Sequence, residues 1–97
     1  MKFGYFSNTV NRQNKPYGTV MREQIDLAQY LDREGWDSVW YTEHHFSYEG
    51  FEVVPNPVLM STWTAAHTKR LRIGQAANII TFWHPLRFAE DIAMLDH

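Results

Sequence analysis

Short apolar runs alternate with segments of helical periodicity along this chain, and this alternation restricts its fold more than any other feature of the sequence. Strands are predicted at residues 2–6, 38–41 and 71–77, and helices at residues 20–33, 57–67 and from 85 onward. Each strand must return over a helix to lie beside the previous strand, which requires parallel pairing and right-handed crossovers. The order β-α-β-α-β-α therefore predicts an α/β protein with a parallel sheet.

The predicted helix boundaries rest on capping residues. Thr19 is expected to cap the first helix and Gly35 to end it. Asn56-Pro57 and His84-Pro85 each place a cap before a first-turn proline, so they open the second and third helices. The apolar positions expected to be buried in the second helix are Leu59, Met60, Trp63 and Ala66.

A doubly wound sheet and a TIM (β/α)8 barrel both begin with this order of elements. The doubly wound fold predicts a glycine-rich phosphate loop after the first strand, but Ser7-Asn8-Thr9 stands there. We therefore expect the amino-terminal β-α-β-α-β-α part of a TIM barrel. A complete barrel needs about 200–250 residues, whereas this chain has 97 and stops inside a predicted helix. Residues 1–97 are thus predicted to form one partial domain, about three βα units of a truncated chain.

Charge and composition exclude several classes of partner. Nine Lys and Arg are interleaved with eleven Asp and Glu, so no basic surface is expected for nucleic acid. No apolar segment approaches the ~18 residues of a membrane span, and no signal-peptide core follows Met1. The absence of cysteine suits a reducing compartment. These features predict a cytoplasmic protein with neither a nucleic-acid nor a membrane partner.

Polar side chains follow each predicted strand, at the sheet edge where parallel α/β proteins bind their ligands. Asn8 follows the first strand, Asn78 follows the third, and the second is followed by Glu43, His44 and His45. An imidazole, with a pKa of about 6.5 when unperturbed, can accept or donate a proton at cellular pH. No metal site is expected, because adjacent histidines in extended backbone point in opposite directions and no H-E-x-x-H motif is present.

Purely structural roles are also open to these residues. Either histidine could be a packed side chain bonded to a backbone carbonyl, and Glu43 could fix a neighbouring ring or form an ion pair. The small residues at 74–77 could serve tight strand packing or the approach of a flat ligand. Arg87 with Glu90 and Asp91 predicts ion pairs on a helix surface.

Several motifs stand in one order along essentially all 97 residues. They are Met1-Lys2-Phe3-Gly4, Trp40-Tyr41-Thr42-Glu43-His44-His45-Phe46, Asn56-Pro57, and His84-Pro85-Leu86-Arg87-Phe88-Ala89-Glu90-Asp91 with Leu95-Asp96. Together they resemble the amino-terminal part of the bacterial luciferase-like flavin-dependent monooxygenases. The resemblance implies a TIM barrel that takes reduced FMN from a separate flavin reductase and uses dioxygen to oxygenate a small organic substrate.

The resemblance also implies roles for individual residues. His44 matches the family's active-site histidine, and Glu43 and His45 match its neighbours in the motif. Ala76 and Ala77 lie where luciferases have a non-proline cis peptide under the flavin ring. The residues expected to bind the flavin are Ala76, Ala77, Asn78 and Asn8.

The chain departs from the family at three places after the third strand. Asn78 replaces an aliphatic residue, Ile80-Thr81 replaces a frequent Leu-Pro, and Phe82-Trp83 are bulkier than usual. These differences bear on the substrate, whose identity the sequence leaves open.

Alternative functions are a deazaflavin-dependent hydride-transfer oxidoreductase, a non-catalytic flavin-binding subunit, and an inactive fragment whose exposed sheet edges promote association. A homo-oligomer is expected, because dimers of the family pack through helices near residues 57–67 and 85–97.

Overall fold

The computed structural model describes residues 1–47 and 52–97. In chain order the elements are β1 (Gly4–Ser7), α1 (Tyr17–Arg33), β2 (Ser38–Tyr41), α2 (Pro57–His67), β3 (Arg72–Gln75), a 3₁₀ turn (Ile80–Phe82) and α3 (Pro85–Asp96). The predicted order β-α-β-α-β-α is confirmed, with a 3₁₀ turn added between β3 and α3.

The three strands form one parallel sheet in the order β1-β2-β3. Ser7, Tyr41 and Gln75 pair in a single row at the ends of the strands. The carboxyl ends of all three strands therefore meet at one edge, which we call the carboxyl edge. β1 begins later than predicted and β3 is shorter, although the N–H of Ala76 still donates to the carbonyl of Tyr41 at 2.8 Å.

The two faces of the sheet have different environments. One face packs against α1 and α2, and the core there consists of Ile25, Ala28, Leu31, Val39, Tyr41, Val54, Met60 and Leu71. The other face carries Phe6 and Trp40, which are 56% and 42% exposed. The ring of Trp40 lies so close over Gly74 that a Cβ at that position would overlap it. A closed barrel turns this second face inward.

Helix α1 begins three residues before its predicted start. Pro16 occupies its N-cap position without a side-chain cap, so the prediction that Thr19 caps the helix is wrong. The carbonyl of Pro16 accepts the N–H of Thr19 at 2.8 Å, and Asn11 bonds both backbone groups of Lys15 at 2.9 Å. This side-chain turn and the fixed φ of proline start the helix in place of a hydroxyl cap. The predicted end is confirmed, because Gly35 follows the C-cap residue with a φ of 77°.

Helix α2 has its predicted bounds but not its predicted buried face. Asn56 caps it by accepting the N–H of Leu59 at 2.9 Å. Of the four positions expected to be buried, only Met60 is, whereas Leu59, Trp63 and Ala66 are exposed.

Two hydroxyl groups explain which face of α2 is buried. Ser61 Oγ accepts a hydrogen bond from Gln75 Nε2 at 2.7 Å, and Thr64 Oγ1 lies 2.9 Å from the Tyr41 hydroxyl. Both serine and threonine are buried, because these bonds satisfy their polar atoms inside the helix–sheet layer. Burial raises the pKa of Tyr41, so its hydroxyl stays protonated in this contact.

Helix α3 starts where predicted, although the side chain of His84 makes no capping bond. The predicted surface ion pairs are present, since Arg87 lies 3.5 Å from Asp91 and 4.0 Å from Glu90. None of the residues of α3 is buried. Within residues 1–47 and 52–97, no helix is long and apolar enough to cross a membrane.

Candidate active site

The segments that follow the three strands meet at the carboxyl edge. The carbonyl of Thr9 and the amide of His44 each bond a residue in the range 53–54 at 2.9 Å, which bridges the ends of β1 and β2. After β3, the N–H of Ile79 donates to the carboxylate of Glu43 at 2.7 Å. The fold therefore brings the three predicted polar clusters to one edge of the sheet.

Glu43 lies at the centre of this edge, and its side chain is only 1% exposed. Its Oε1 accepts from His45 Nε2 at 2.8 Å, and its Oε2 accepts the N–H of Ile79. The indole N–H of Trp83 lies 3.2 Å from Oε2 and 3.3 Å from Oε1. The carboxylate thus joins the histidine motif to the segment between β3 and α3.

The surroundings of Glu43 favour its ionised form. Burial on its own raises the pKa of a carboxyl group. At Glu43 the hydrogen bonds from His45, Ile79 and Trp83, together with the charge of the histidine, outweigh burial and lower the pKa below its ordinary value. At neutral pH the group is therefore a carboxylate that accepts hydrogen bonds.

The two histidines of the motif face different carboxylates. The ring of His45 bonds Glu43 and packs edge-on against Phe82, with ring centroids 5.0 Å apart. His44 Nδ1 lies 3.2 Å from Glu52 Oε2, so Nε2 is the ring nitrogen left for a ligand. In the described part of the chain, no three His, Asp or Glu side chains come together as metal ligands.

The end of β3 combines small residues with an unpaired buried atom. The Ala76-Ala77 peptide bond is cis, as predicted. Asn78 Nδ2 lies 3.5 Å from Gln75 Oε1, whereas Asn78 Oδ1 is buried and has no hydrogen-bond partner among the described residues. The same is true of Thr42 Oγ1, just after β2. Because buried polar atoms are nearly always hydrogen-bonded, both atoms are candidates for contact with a ligand.

The end of β1 contributes one exposed side chain. Ser7 and Thr9 are buried and hydrogen-bond each other at 3.1 Å, and the Ser7 hydroxyl also donates to Gln24 of α1 at 2.7 Å. Asn8 stands between them and is exposed at the carboxyl edge. The buried hydroxyls hold the backbone, and Asn8 is the side chain free to meet a ligand.

In the described part of the chain, three side chains contact the motif although their residues were not predicted as site residues. They are Glu52, Phe82 and Trp83. The sequence marks Phe82 and Trp83 only as bulkier than usual for the resembling family. Their place just before the His84-Pro85 helix start is a usable signal, because in a β-α unit the residues before the helix lie at the carboxyl edge.

The whole chain, residues 1–97, matches the family model of luciferase-like monooxygenases. The alkanal monooxygenase alpha chain of Photorhabdus laumondii is 34% identical over 96 residues, which cover 99% of this chain and 26% of that protein. The oxygenase component of the flavin-dependent trigonelline monooxygenase of Acinetobacter baylyi is 39% identical over 74 residues, which cover 76% of this chain and 20% of that protein.

Solved structures agree with the sequence relatives. The oxygenating constituent of 3,6-diketocamphane monooxygenase from Pseudomonas putida, in complex with FMN, superposes with a TM-score of 0.89 at 26% identity over 98% of this chain and 26% of its own. A monooxygenase of Streptomyces bottropensis superposes with a TM-score of 0.87 at 37% identity over 99% of this chain and 29% of its own.

The chain spans about a quarter or less of the length of the curated relatives described above. Its three βα units have the architecture of the amino-terminal part of a TIM barrel, as the sequence predicted. Because the family model matches every residue from 1 to 97, this chain belongs to the luciferase-like monooxygenase family.

Proposed function

We propose that the protein is a monooxygenase that uses reduced FMN and dioxygen to oxidise a small organic substrate. The observation that carries this proposal is the meeting of the Glu43-His44-His45 motif with two buried, unpartnered polar atoms at one edge of the sheet. The flavin is supported by two relatives, since one is named as flavin-dependent and another was solved with FMN.

The residues at the carboxyl edge fit a flavin. A flavin ring system is flat and carries both N–H and carbonyl groups. Thr42 Oγ1 and Asn78 Oδ1 are buried polar atoms without a partner in residues 1–47 and 52–97, and the small side chains of Ala76 and Ala77 leave room for a flat ring. Together with the exposed Asn8, these are the residues that we assign to flavin binding.

Bound reduced flavin would supply the electrons that activate dioxygen for transfer of one oxygen atom to the substrate. We assign proton transfer to His44. Because its Nδ1 faces Glu52 at 3.2 Å and its side chain is 38% exposed, the ring can present Nε2 to a ligand. An imidazole there can both donate and accept a proton during one catalytic cycle. Glu43 and His45 complete the catalytic motif beside it.

We further propose that a separate flavin reductase supplies the reduced FMN. Two relatives are described as an "oxygenase component" and an "oxygenating constituent", which are names for one half of a two-component system. Exposed apolar side chains on α2 and α3 support a homo-oligomer that packs through these helices; they are Leu59, Leu86 and Met94. We place the protein in the cytoplasm, which suits a chain without cysteine.

Rapid mixing of the full-length protein with reduced FMN tests the proposal. Alkanals, diketocamphane and trigonelline, the compounds in the names of the relatives, serve as first substrates. We expect oxygen uptake and an oxygenated product only when reduced FMN, dioxygen and a substrate are all present. Hydride transfer from a reduced deazaflavin without oxygen uptake would contradict the proposal, and so would flavin binding without turnover of any substrate.

A further inference from the structure

Glu43 receives hydrogen bonds from three donors that lie in two separate parts of the chain. The donors are the His45 ring two residues onward, the backbone N–H of Ile79 after β3, and the indole N–H of Trp83 just before α3. With its side chain 1% exposed, the carboxylate has these donors in place of water.

The two oxygens of Glu43 are both occupied. Oε1 faces His45 Nε2 at 2.8 Å, Oε2 faces the N–H of Ile79 at 2.7 Å, and the Trp83 N–H lies between them at 3.3 and 3.2 Å. The N–H groups of Ile79 and Trp83 only donate, so both require an acceptor on the Glu43 side, and the ionised carboxylate offers His45 an acceptor as well. A carboxylate that exchanged protons with a substrate would have to give up one of them, so this site suits a group that stays ionised.

We propose that Glu43 is a positioning residue that orients the His45 ring and holds the segment of residues 79–83 against the histidine motif, with Trp83 as its partner. The link to turnover rests on the proposed function. The geometry around Glu43 does not depend on the proposed function, because every contact is made within the chain.

The orientation of His45 follows from the donor pattern. A carboxylate oxygen only accepts, so the ring nitrogen that faces it, Nε2, carries a hydrogen. In the neutral ring the other nitrogen, Nδ1, is then the one that can accept a hydrogen bond. Phe82 packs edge-on against the same ring at 5.0 Å and restricts its rotation. Trp83 and Phe82, two bulky neighbours, thus enclose one carboxylate–imidazole pair.

The amide variant Glu43→Gln separates charge and acceptors from side-chain size. Glutamine has nearly the same shape, but it offers one acceptor oxygen and a donor NH₂ group. If its oxygen keeps the Ile79 N–H, its NH₂ group faces the donors of His45 and Trp83. We therefore expect the imidazole to rotate or to move its hydrogen to Nδ1.

Nitrogen-15 spectroscopy of the full-length protein without flavin measures this directly. We expect His45 in the parent protein to carry hydrogen on Nε2, and we expect Glu43→Gln to change the nitrogen pattern of His45 and to shift the indole resonance of Trp83. The matched control is Glu90→Gln, which alters a carboxylate that is 62% exposed on α3 and should change neither signal. A parent protein with Nε2 of His45 bare at neutral pH would overturn the proposal without any variant.

Kinetics supply a second readout. We expect Glu43→Gln to lower turnover by at least about tenfold, as for lost hydrogen bonds to a buried charge. Trp83→Phe removes one donor and keeps an aromatic ring beside Phe88, whose ring centroid lies 5.4 Å from that of Trp83. It should therefore lower turnover less, while the His45 nitrogen pattern stays that of the parent. Unchanged nitrogen signals in Glu43→Gln would overturn the positioning role. Parent protein that shows the expected signals but oxygenates no substrate would instead count against the proposed function alone.

Discussion

At the scale of single residues, the two adjacent histidines differ in the carboxylate that each one faces. His45 bonds the buried Glu43, whereas His44 faces Glu52, whose side chain is about one-third exposed. Charges in contact with water are screened and their pairs are weak, whereas buried pairs are screened much less. The buried carboxylate therefore holds the ring of His45, whereas the ring of His44 is the more exposed of the two and the more accessible to a ligand. This difference is why we assign proton transfer to His44.

Replacing His44 with Ala is expected to lower turnover by roughly 10²–10⁴-fold, the usual contribution of a general acid–base group. Affinity for reduced flavin should stay nearly unchanged, because we assign flavin binding to other residues. Rapid-mixing kinetics measure both quantities. The control is His67→Ala, since His67 ends α2 and bonds the carbonyl of Trp63 at 2.8 Å. Turnover within about threefold of the parent would make His44 a packing residue.

The sequence predicted the histidine motif, but it did not predict the distant residues that hydrogen-bond to the motif. Glu43, His44 and His45 are adjacent and chemically conspicuous, so a strand followed by such a cluster predicts a site directly. Trp83 bonds Glu43 from forty residues away. A contact of this kind depends on how the loop after β3 folds back, and neither periodicity nor spacing encodes that path. The unpaired atoms of Thr42 and Asn78 are likewise visible only once burial is known.

At the scale of elements, Asp32 connects α1 to the turn that leads into β3. Its carboxylate accepts three successive backbone N–H groups, those of Lys69, Arg70 and Leu71, at 2.9, 3.0 and 2.9 Å. Burial acts to raise the pKa of Asp32, but these bonds and the charge of Arg70 lower it overall. One side chain thus satisfies the backbone of a turn thirty-seven residues or more away.

Asp32→Asn is expected to lower the free energy of unfolding at pH 7 by about 1–3 kcal/mol, because an amide offers one acceptor to three donors. A carboxyl whose pKa is lowered by folding stabilises the folded state above its pKa in the unfolded chain, about 3.9. That contribution disappears as the pH falls through the folded-state value. The difference in the free energy of unfolding between the parent protein and Asp32→Asn should therefore become smaller in acid.

Urea unfolding of the full-length protein at pH 7 and in acid measures this difference in the free energy of unfolding. Asp26→Asn is the control, because Asp26 is exposed on the same helix. If the difference in stability between the parent protein and Asp32→Asn stays the same at a pH well below 3.9, the charge of Asp32 does not stabilise the turn.

Gly74→Ala is expected to destabilise the protein by about 1–3 kcal/mol, because the added Cβ would overlap the Trp40 ring. The matched control is Gly18→Ala in α1, where the nearest atoms to a new Cβ belong to Arg22, 3.8 Å away. Thermal unfolding should show the loss only at Gly74. In a Trp40→Ala background the same change should cost less, and an equal cost in both backgrounds would contradict the overlap.

Element boundaries were predictable where one local signal dominates. Asn56-Pro57 opens α2 as expected, because a cap and a first-turn proline are local chemistry. The start of α1 was misplaced, since the turn is set by Asn11 and Pro16 rather than by a hydroxyl cap. The buried face of α2 was also mispredicted. Ser61 and Thr64 face the sheet because their partners are on β3 and β2, which a hydrophobicity pattern does not register.

At the scale of the whole molecule, three strands make up part of a barrel wall. In the described part of the chain, β1 and β3 each pair only with β2, so both outer strands keep an open edge. The face with Phe6 and Trp40 is uncovered as well. Open edges and an exposed apolar face favour association between chains.

Residues 1–97 expressed alone are expected to associate or to be marginally folded, and to be inactive. Sedimentation velocity across a range of concentrations measures the association, and oxygen uptake with reduced FMN measures activity. A monomer that unfolds cooperatively at high temperature would contradict this expectation.

At the amino ends of the three strands, the side chains carry a positive, a negative and a positive charge in turn. Asp37 precedes the central strand β2. Lys2, which precedes β1, lies 3.4 Å from Asp37, and the guanidinium of Arg72 in β3 is bonded to it. Exposed pairs of this kind contribute little to stability. These pairs instead distinguish the native strand order from a wrong one, because a sheet with β1 beside β3 would bring the cations of Lys2 and Arg72 together. The order of these charges thus favours the native order of the strands. Concentrated salt would screen the charges and weaken this preference, while leaving the folded sheet nearly as stable.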